Sequence, residues 1–164
     1  MNIWMKLGCM AACVLPLICS GADASKTENW RGASSGKMSI AADAQTNSVK
    51  FTVKFPKEKK DRWAYPMLKI DKADSDASKL TFEIKVETSP KLKAYKGLLV
   101  MLKPADKKVK RIWLPYTLPM SSDFQTVTVN LSKAPAYAKQ VQIGLNFMKA
   151  DHAVFFIRNV KFEK

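Results

Sequence analysis

The sequence predicts an all-β fold, a jelly-roll β-sandwich of about nine strands in two antiparallel sheets. Three observations carry that expectation. Several segments alternate apolar and polar residues with period two, the signature of strands with one buried and one wet face. Clusters of turn-forming residues separate those segments at short intervals. No stretch sustains the 3.6-residue apolar period of a long helix.

The chain of 164 residues begins with an element outside the sandwich. Lys6 precedes an apolar run from Leu7 to Cys19, and Ser20-Gly21-Ala22-Asp23-Ala24 follows. A positive start, a short hydrophobic stretch and an A-x-A site predict a secretory signal over residues 1–24, cut between Ala24 and Ser25. The run is too short to cross a bilayer, and Pro16 interrupts it. Met10-Ala11-Ala12-Cys13 offers a lipoprotein signal as the second reading, but it leaves Val14 to Ile18 as an apolar tail. Cys9, Cys13 and Cys19 are the three cysteines of the chain, and all lie in this leader. Residues 25–164 therefore have no thiol for a disulfide, a nucleophile or a thiolate metal site, and form one domain that must rely on its core.

Met38 to Ala41 is a candidate first strand. Val49, Phe51, Val53 and Phe55 then alternate with Lys50, Thr52 and Lys54. Leu80, Phe82, Ile84 and Val86 alternate with Thr81, Glu83, Lys85 and Glu87. Gly97 to Leu102 is apolar throughout, which predicts a central strand covered on both faces. Trp63 to Ile70 and Lys110 to Tyr116 contain Pro66 and Pro115, and a missing ladder donor places such strands at an edge or a bulge. Val127, Val129 and Leu131 form another alternating set, as do Val141, Ile143, Leu145 and Phe147. Lys133 to Lys139 is predicted as a helical turn, and Ala153 to Glu163 closes the chain. Trp30 is expected to pack across the open end of the sandwich.

The order of features adds a resemblance. Trp30 comes early, Phe55 and a charged loop lead to Arg62-Trp63-Ala64-Tyr65-Pro66, and Ile112-Trp113-Leu114-Pro115 follows the strand Leu80–Val86. The end reads Val141-Gln142-Ile143-Gly144-Leu145, then Phe155-Phe156-Ile157-Arg158-Asn159-Val160-Lys161-Phe162. This resembles the galactose-binding-like jelly-roll carbohydrate-binding modules found beside bacterial glycoside hydrolases, over nearly all of residues 25–164. The resemblance implies a non-catalytic domain that binds a glycan on one sheet face. The family's closing strand often carries an acid that helps to hold a structural calcium. Arg158 and Asn159 stand at the matching positions, and calcium prefers carboxylate oxygens, so no metal site is expected.

Sugar recognition needs flat aromatic faces and planar polar side chains. Trp63 and Tyr65 are two apart and share a strand face, and so are Arg111 and Trp113. Gln142 and Asn146 lie on the polar side of their strand. Trp63, Tyr65, Arg111, Trp113, Gln142 and Asn146 are the predicted binding set. The partner the resemblance implies is a polysaccharide; the net charge of +14, from 28 Lys+Arg against 14 Asp+Glu, favours an anionic partner such as an acidic polysaccharide, a cell surface or nucleic acid, or else serves only to keep the chain soluble. Lys57-Glu58-Lys59-Lys60 and Lys107-Lys108-Val109-Lys110-Arg111 are the basic clusters that would grip carboxylates or sulfates. Nucleic acid suits the charge but not export, and no cofactor is implied.

Catalytic signals are poor. His152, the one histidine, is expected in a surface turn. Glu83 and Glu87 read as surface charges rather than a glycosidase pair. Asp71, Asp74 and Asp76 lack the glycine and glutamate of a calcium loop. A structural or adhesive envelope sandwich is the alternative function, and a small glycan lyase or hydrolase comes third. The predicted location is periplasmic or extracellular.

Overall fold

A computed structural model describes residues 23–58, 60, 62–71, 77–89, 96–104, 112–116, 121–131, 138–147 and 150–164. Among the described residues, eleven strands run antiparallel in two sheets. They are β1 (Trp30–Arg31), β2 (Lys37–Asp43), β3 (Ser48–Lys54), β4 (Trp63–Ala64), β5 (Met67–Lys69), β6 (Lys79–Ser89), β7 (Lys96–Pro104), β8 (Ile112–Tyr116), β9 (Gln125–Asn130), β10 (Ala138–Asn146) and β11 (His152–Glu163). The first sheet has the order β1-β5-β10-β7-β8, with β4 also paired to β10. The second has the order β2-β3-β11-β6-β9. A short 3-10 turn at Thr27–Asn29 precedes β1. Among the described residues no helix is long and apolar enough to cross a membrane.

The period-two segments became strands because alternation lets each bury one apolar face. In β3, Val49, Phe51 and Val53 are fully buried while Lys54 is exposed. In β6, Leu80, Phe82, Ile84 and Val86 point inward. From the first sheet come Ala64, Leu68, Val100, Val141, Ile143 and Leu145. Aromatic rings tie the core together. Phe51 and Phe155 stack at 4.9 Å between centroids, and Trp30 meets Phe51 edge-on at 5.2 Å. Each buried ring contributes about 1.5–3 kcal/mol over an exposed one.

Trp30 packs into this core, and its indole Nε1 donates to the Ala24 carbonyl at 2.8 Å. Two asparagines take the left-handed backbone that this residue tolerates. Asn47, at φ 49°, turns the β2–β3 hairpin. Asn159, at φ 53°, sits where the β11–β6 register shifts between Arg158 and Lys161.

Several expectations are corrected in detail. The expected sandwich of about nine strands in two sheets is present, and the two-residue pieces β1 and β4 are additions that alternation cannot reveal. Trp63 to Ile70 is not one strand: Tyr65 and Pro66 interrupt it, and β5 lies inside the sheet between β1 and β10. Pro115 does sit on an edge strand, β8, and β7 is interior. Ala138 and Lys139 begin β10 instead of ending a helical turn: Ala138 pairs with Pro104 of β7, and the Lys139 carbonyl accepts from Ile70 N just beyond β5; residues 133–137 lie outside the described set. His152 opens β11 rather than occupying a turn, since it pairs with Lys54 and Ser89.

Candidate functional site

The outward face of the first sheet carries the candidate site. Inward positions Ala64, Leu68, Val141, Ile143 and Leu145 are buried in the core, so Trp63, Tyr65, Met67, Gln142 and Asn146 face away from it. Trp63 and Tyr65 are half-buried, and their rings stack at 5.6 Å between centroids with 6° between planes. The predicted pair is therefore a single parallel aromatic unit at the rim of a sheet.

The backbone under these rings is fixed on both sides. Residues 33–35 run alongside: Tyr65 N donates to the Ala33 carbonyl at 2.6 Å, and Ser35 N donates to the Trp63 carbonyl at 2.8 Å. Ser35 Oγ accepts from Trp63 N at 2.9 Å. On the other side Phe147 N donates to the Arg62 carbonyl and Ile143 N to the Pro66 carbonyl, each at 2.9 Å. Such bracing matters because order already present in the free protein is not an entropic cost of binding.

Arg62 anchors the same segment. It is 8% exposed, and its guanidinium donates to Asp151 Oδ1 at 2.8 Å and to the Lys57 carbonyl at 3.2 Å. A buried charge demands a partner of this kind. No local pattern marks this ion pair, since the Asp151 carboxylate lies 89 residues away in the chain.

The polar members behave differently from each other. Asn146 is half-buried and in register with Trp63. Gln142, in register with Met67 on one side and Met101 on the other, is only 7% exposed. It forms the floor of the face rather than a wet surface. Its Oε1 is buried and has no hydrogen-bond partner among the described residues. An amide oxygen in that state costs about 1–3 kcal/mol, so it is an acceptor awaiting a donor.

Trp113 lies in β8, and its backbone is in register with Met101, which is in register with Gln142. The register thus continues from Met67 through Gln142 and Met101 to position 113. Arg111 lies outside the described residues, as do Lys59, Lys107, Lys108, Lys110, Asp74 and Asp76. Lys57 and Lys60 are exposed.

The opposite sheet offers a contrast. On its outer face Phe156 is covered by Lys50 and Lys85, whose ammonium groups lie 5.7 and 5.6 Å from the ring centroid, and by the edge of Phe124. Glu87 pairs with Lys85 at 2.9 Å, and Glu83 pairs with Arg158 Nε at 2.6 Å. Asn159 also donates to Glu83, at 2.9 Å. These donors, Asn159 first and Arg158 second, hold the Glu83 carboxyl below the usual glutamate range. Arg158 further donates to the Thr46 carbonyl, so its guanidinium ties β11 to β6 and to the β2–β3 turn. Among the described residues no three His, Cys, Asp or Glu side chains are grouped to hold a metal ion.

No family model and no curated protein matches the chain. Solved structures do. A family 11 carbohydrate-binding module from Clostridium thermocellum, in complex with a β-1,3-1,4-mixed-linked tetrasaccharide, aligns over 82% of this chain and 88% of that one, at 15% identity and a TM-score of 0.54. A carbohydrate-binding module studied for specific mannan recognition aligns over 88% of this chain and 95% of that one, at 16% identity and a TM-score of 0.57. A structure from work on the promiscuous specificity of carbohydrate-binding modules of the β-sandwich superfamily aligns over 87% of this chain and 60% of that one, at 14% identity and a TM-score of 0.61. The chain therefore has the β-sandwich fold of carbohydrate-binding modules.

Proposed function

We propose that this protein is an exported, non-catalytic module that binds polysaccharide on the outward face of its first sheet. The observation that carries the reading is the Trp63–Tyr65 pair, parallel, half-exposed and braced by backbone hydrogen bonds on both sides. An aromatic face offers apolar area to the C–H face of a pyranose, and Asn146 beside Trp63 offers planar hydrogen-bonding groups to hydroxyls. Gln142 Oε1 would accept from a hydroxyl that reaches the floor of the face. Arg111 and Trp113 complete the binding set we propose, Trp113 through its place in the register row.

The reading also draws support from the fold, since the two solved modules described first bind a mixed-linked tetrasaccharide and recognise mannan, respectively. It needs no catalytic step. The outward-facing carboxylates Glu83 and Glu87 are held in ion pairs on the other sheet. The proposed mature chain begins after the leader and acts outside the cytoplasm.

Titration of tryptophan fluorescence with soluble polysaccharides, neutral and acidic, tests the proposal. The expected result is a saturable change with at least one glycan that is lost in Trp63→Phe and survives high salt, because stacking is not screened. A change that is identical in Trp63→Phe would overturn the assignment of the site.

A further inference from the structure

We infer that the outer face of the second sheet is a separate docking surface for a linear acidic polysaccharide, built on Lys37, Lys54 and Lys50. Strand register puts Lys37 directly opposite Lys54, and Lys54 directly opposite His152. Two cations facing each other across neighbouring strands repel, and natural sheets favour opposite charges there. Lys37 and Lys54 are exposed, and Lys50 lies two positions along the same face of β3 from Thr52 and four residues from Lys54. The loop leaving β3 adds exposed Lys57 and Lys60.

The acids of this face do not relieve the repulsion. Glu87 is taken by Lys85, Glu83 by Arg158 and Asn159, and Asp43 accepts from Thr46 in its own turn. Among the described residues Lys37, Lys50 and Lys54 have no carboxylate within 4.0 Å. An edge-strand lysine can serve simply to block edge-to-edge pairing, which accounts for Lys37 on β2. It does not account for Lys54, because β3 lies inside the sheet between β2 and β11.

The arrangement specifies the partner. Lys50 and Lys54 are about 13 Å apart along β3 at the usual rise per residue, too far for one small anion to touch both. Lysine ammoniums are flexible point charges and suit repeated carboxylates or sulfates rather than one bidentate group. A polymer with many weak negative charges fits such a spread row. This surface is on the sheet opposite Trp63 and Tyr65, so it stands or falls independently of the stacking site.

The test compares dextran sulfate, polygalacturonate and neutral dextran as probes, by affinity electrophoresis in a salt series. The protein should be retarded by the two acidic polymers, less as salt rises, and not by dextran. The triple variant Lys37→Gln/Lys50→Gln/Lys54→Gln should bind the acidic polymers about tenfold more weakly at physiological salt. A control triple variant of equal net charge, Lys26→Gln/Lys69→Gln/Lys139→Gln, should keep most of the affinity. Equal losses in both variants would show net charge alone and overturn the surface, as would no retardation of the native protein. Because Lys37 and Lys54 repel, Lys54→Gln should melt no lower than the native protein, which separates lost binding from lost folding.

Discussion

Gln142 supplies the prediction with the clearest physical content. Its Oε1 is buried without a partner among the described residues, and that state costs about 1–3 kcal/mol. Gln142→Met keeps the side chain's length and near volume while removing the carboxamide. A volume-conserving swap costs less than about 1.5 kcal/mol. The balance favours the variant by about 1 kcal/mol, or a rise of roughly 2–6 °C in the melting midpoint for a domain of this size. Urea and thermal denaturation, both followed by circular dichroism, measure it. Glycan affinity should move the other way, falling about tenfold, because a site that waits for its ligand's donor is less stable when empty. A variant that loses 1 kcal/mol or more would show that the carboxamide is already satisfied in the free protein, and would refute the reasoning.

Four further outcomes follow from named contacts. Asp151→Asn removes the carboxylate from buried Arg62; with Asp151 half exposed, the loss should be about 1 kcal/mol in urea denaturation, and glycan affinity should fall because Arg62 anchors the Trp63 segment. Gly36→Ala drives a Cβ into the Lys54 carbonyl oxygen, a backbone clash that should cost about 2–3 kcal/mol and lower the melting midpoint accordingly. Glu83 has a lowered folded pKa, so its stabilising contribution is complete above the ordinary glutamate range and is lost as pH falls through the folded value; Glu83→Gln should flatten the acid limb of a stability–pH curve, and an unchanged limb would argue against the pairing. A chain starting at Ser25 lacks the Ala24 carbonyl that accepts from the Trp30 indole, so it should be about 1 kcal/mol less stable than one starting at Asp23.

The strands that bury one face were legible because alternation is a direct record of burial. Val49 to Phe55 and Leu80 to Val86 read inward and outward as they fold. The short pieces β1 and β4 were not legible, since two residues contain no period. Phe156 shows where the pattern breaks: it follows buried Phe155 and lies on the outer face, yet lysine stems and Phe124 cover it. Gln142 failed as a wet-face residue for a related reason, because burial on an outward face depends on neighbouring strands that local sequence does not specify. At the site, the shared face of Trp63 and Tyr65 followed from spacing alone. The supports did not: Arg62 and Asp151, or Ser35 and Trp63, meet only through the fold.

The most direct measurement is a glycan array, with uronates and sulfated polymers included, probed in parallel with the native protein and with Trp63→Ala/Tyr65→Ala. The native protein should bind a defined set of glycans in high salt, and the double variant, folded by circular dichroism, should bind none of that set. Native and double variant lighting the same spots, or native protein lighting none, would contradict the assignment of the aromatic pair as the sugar platform.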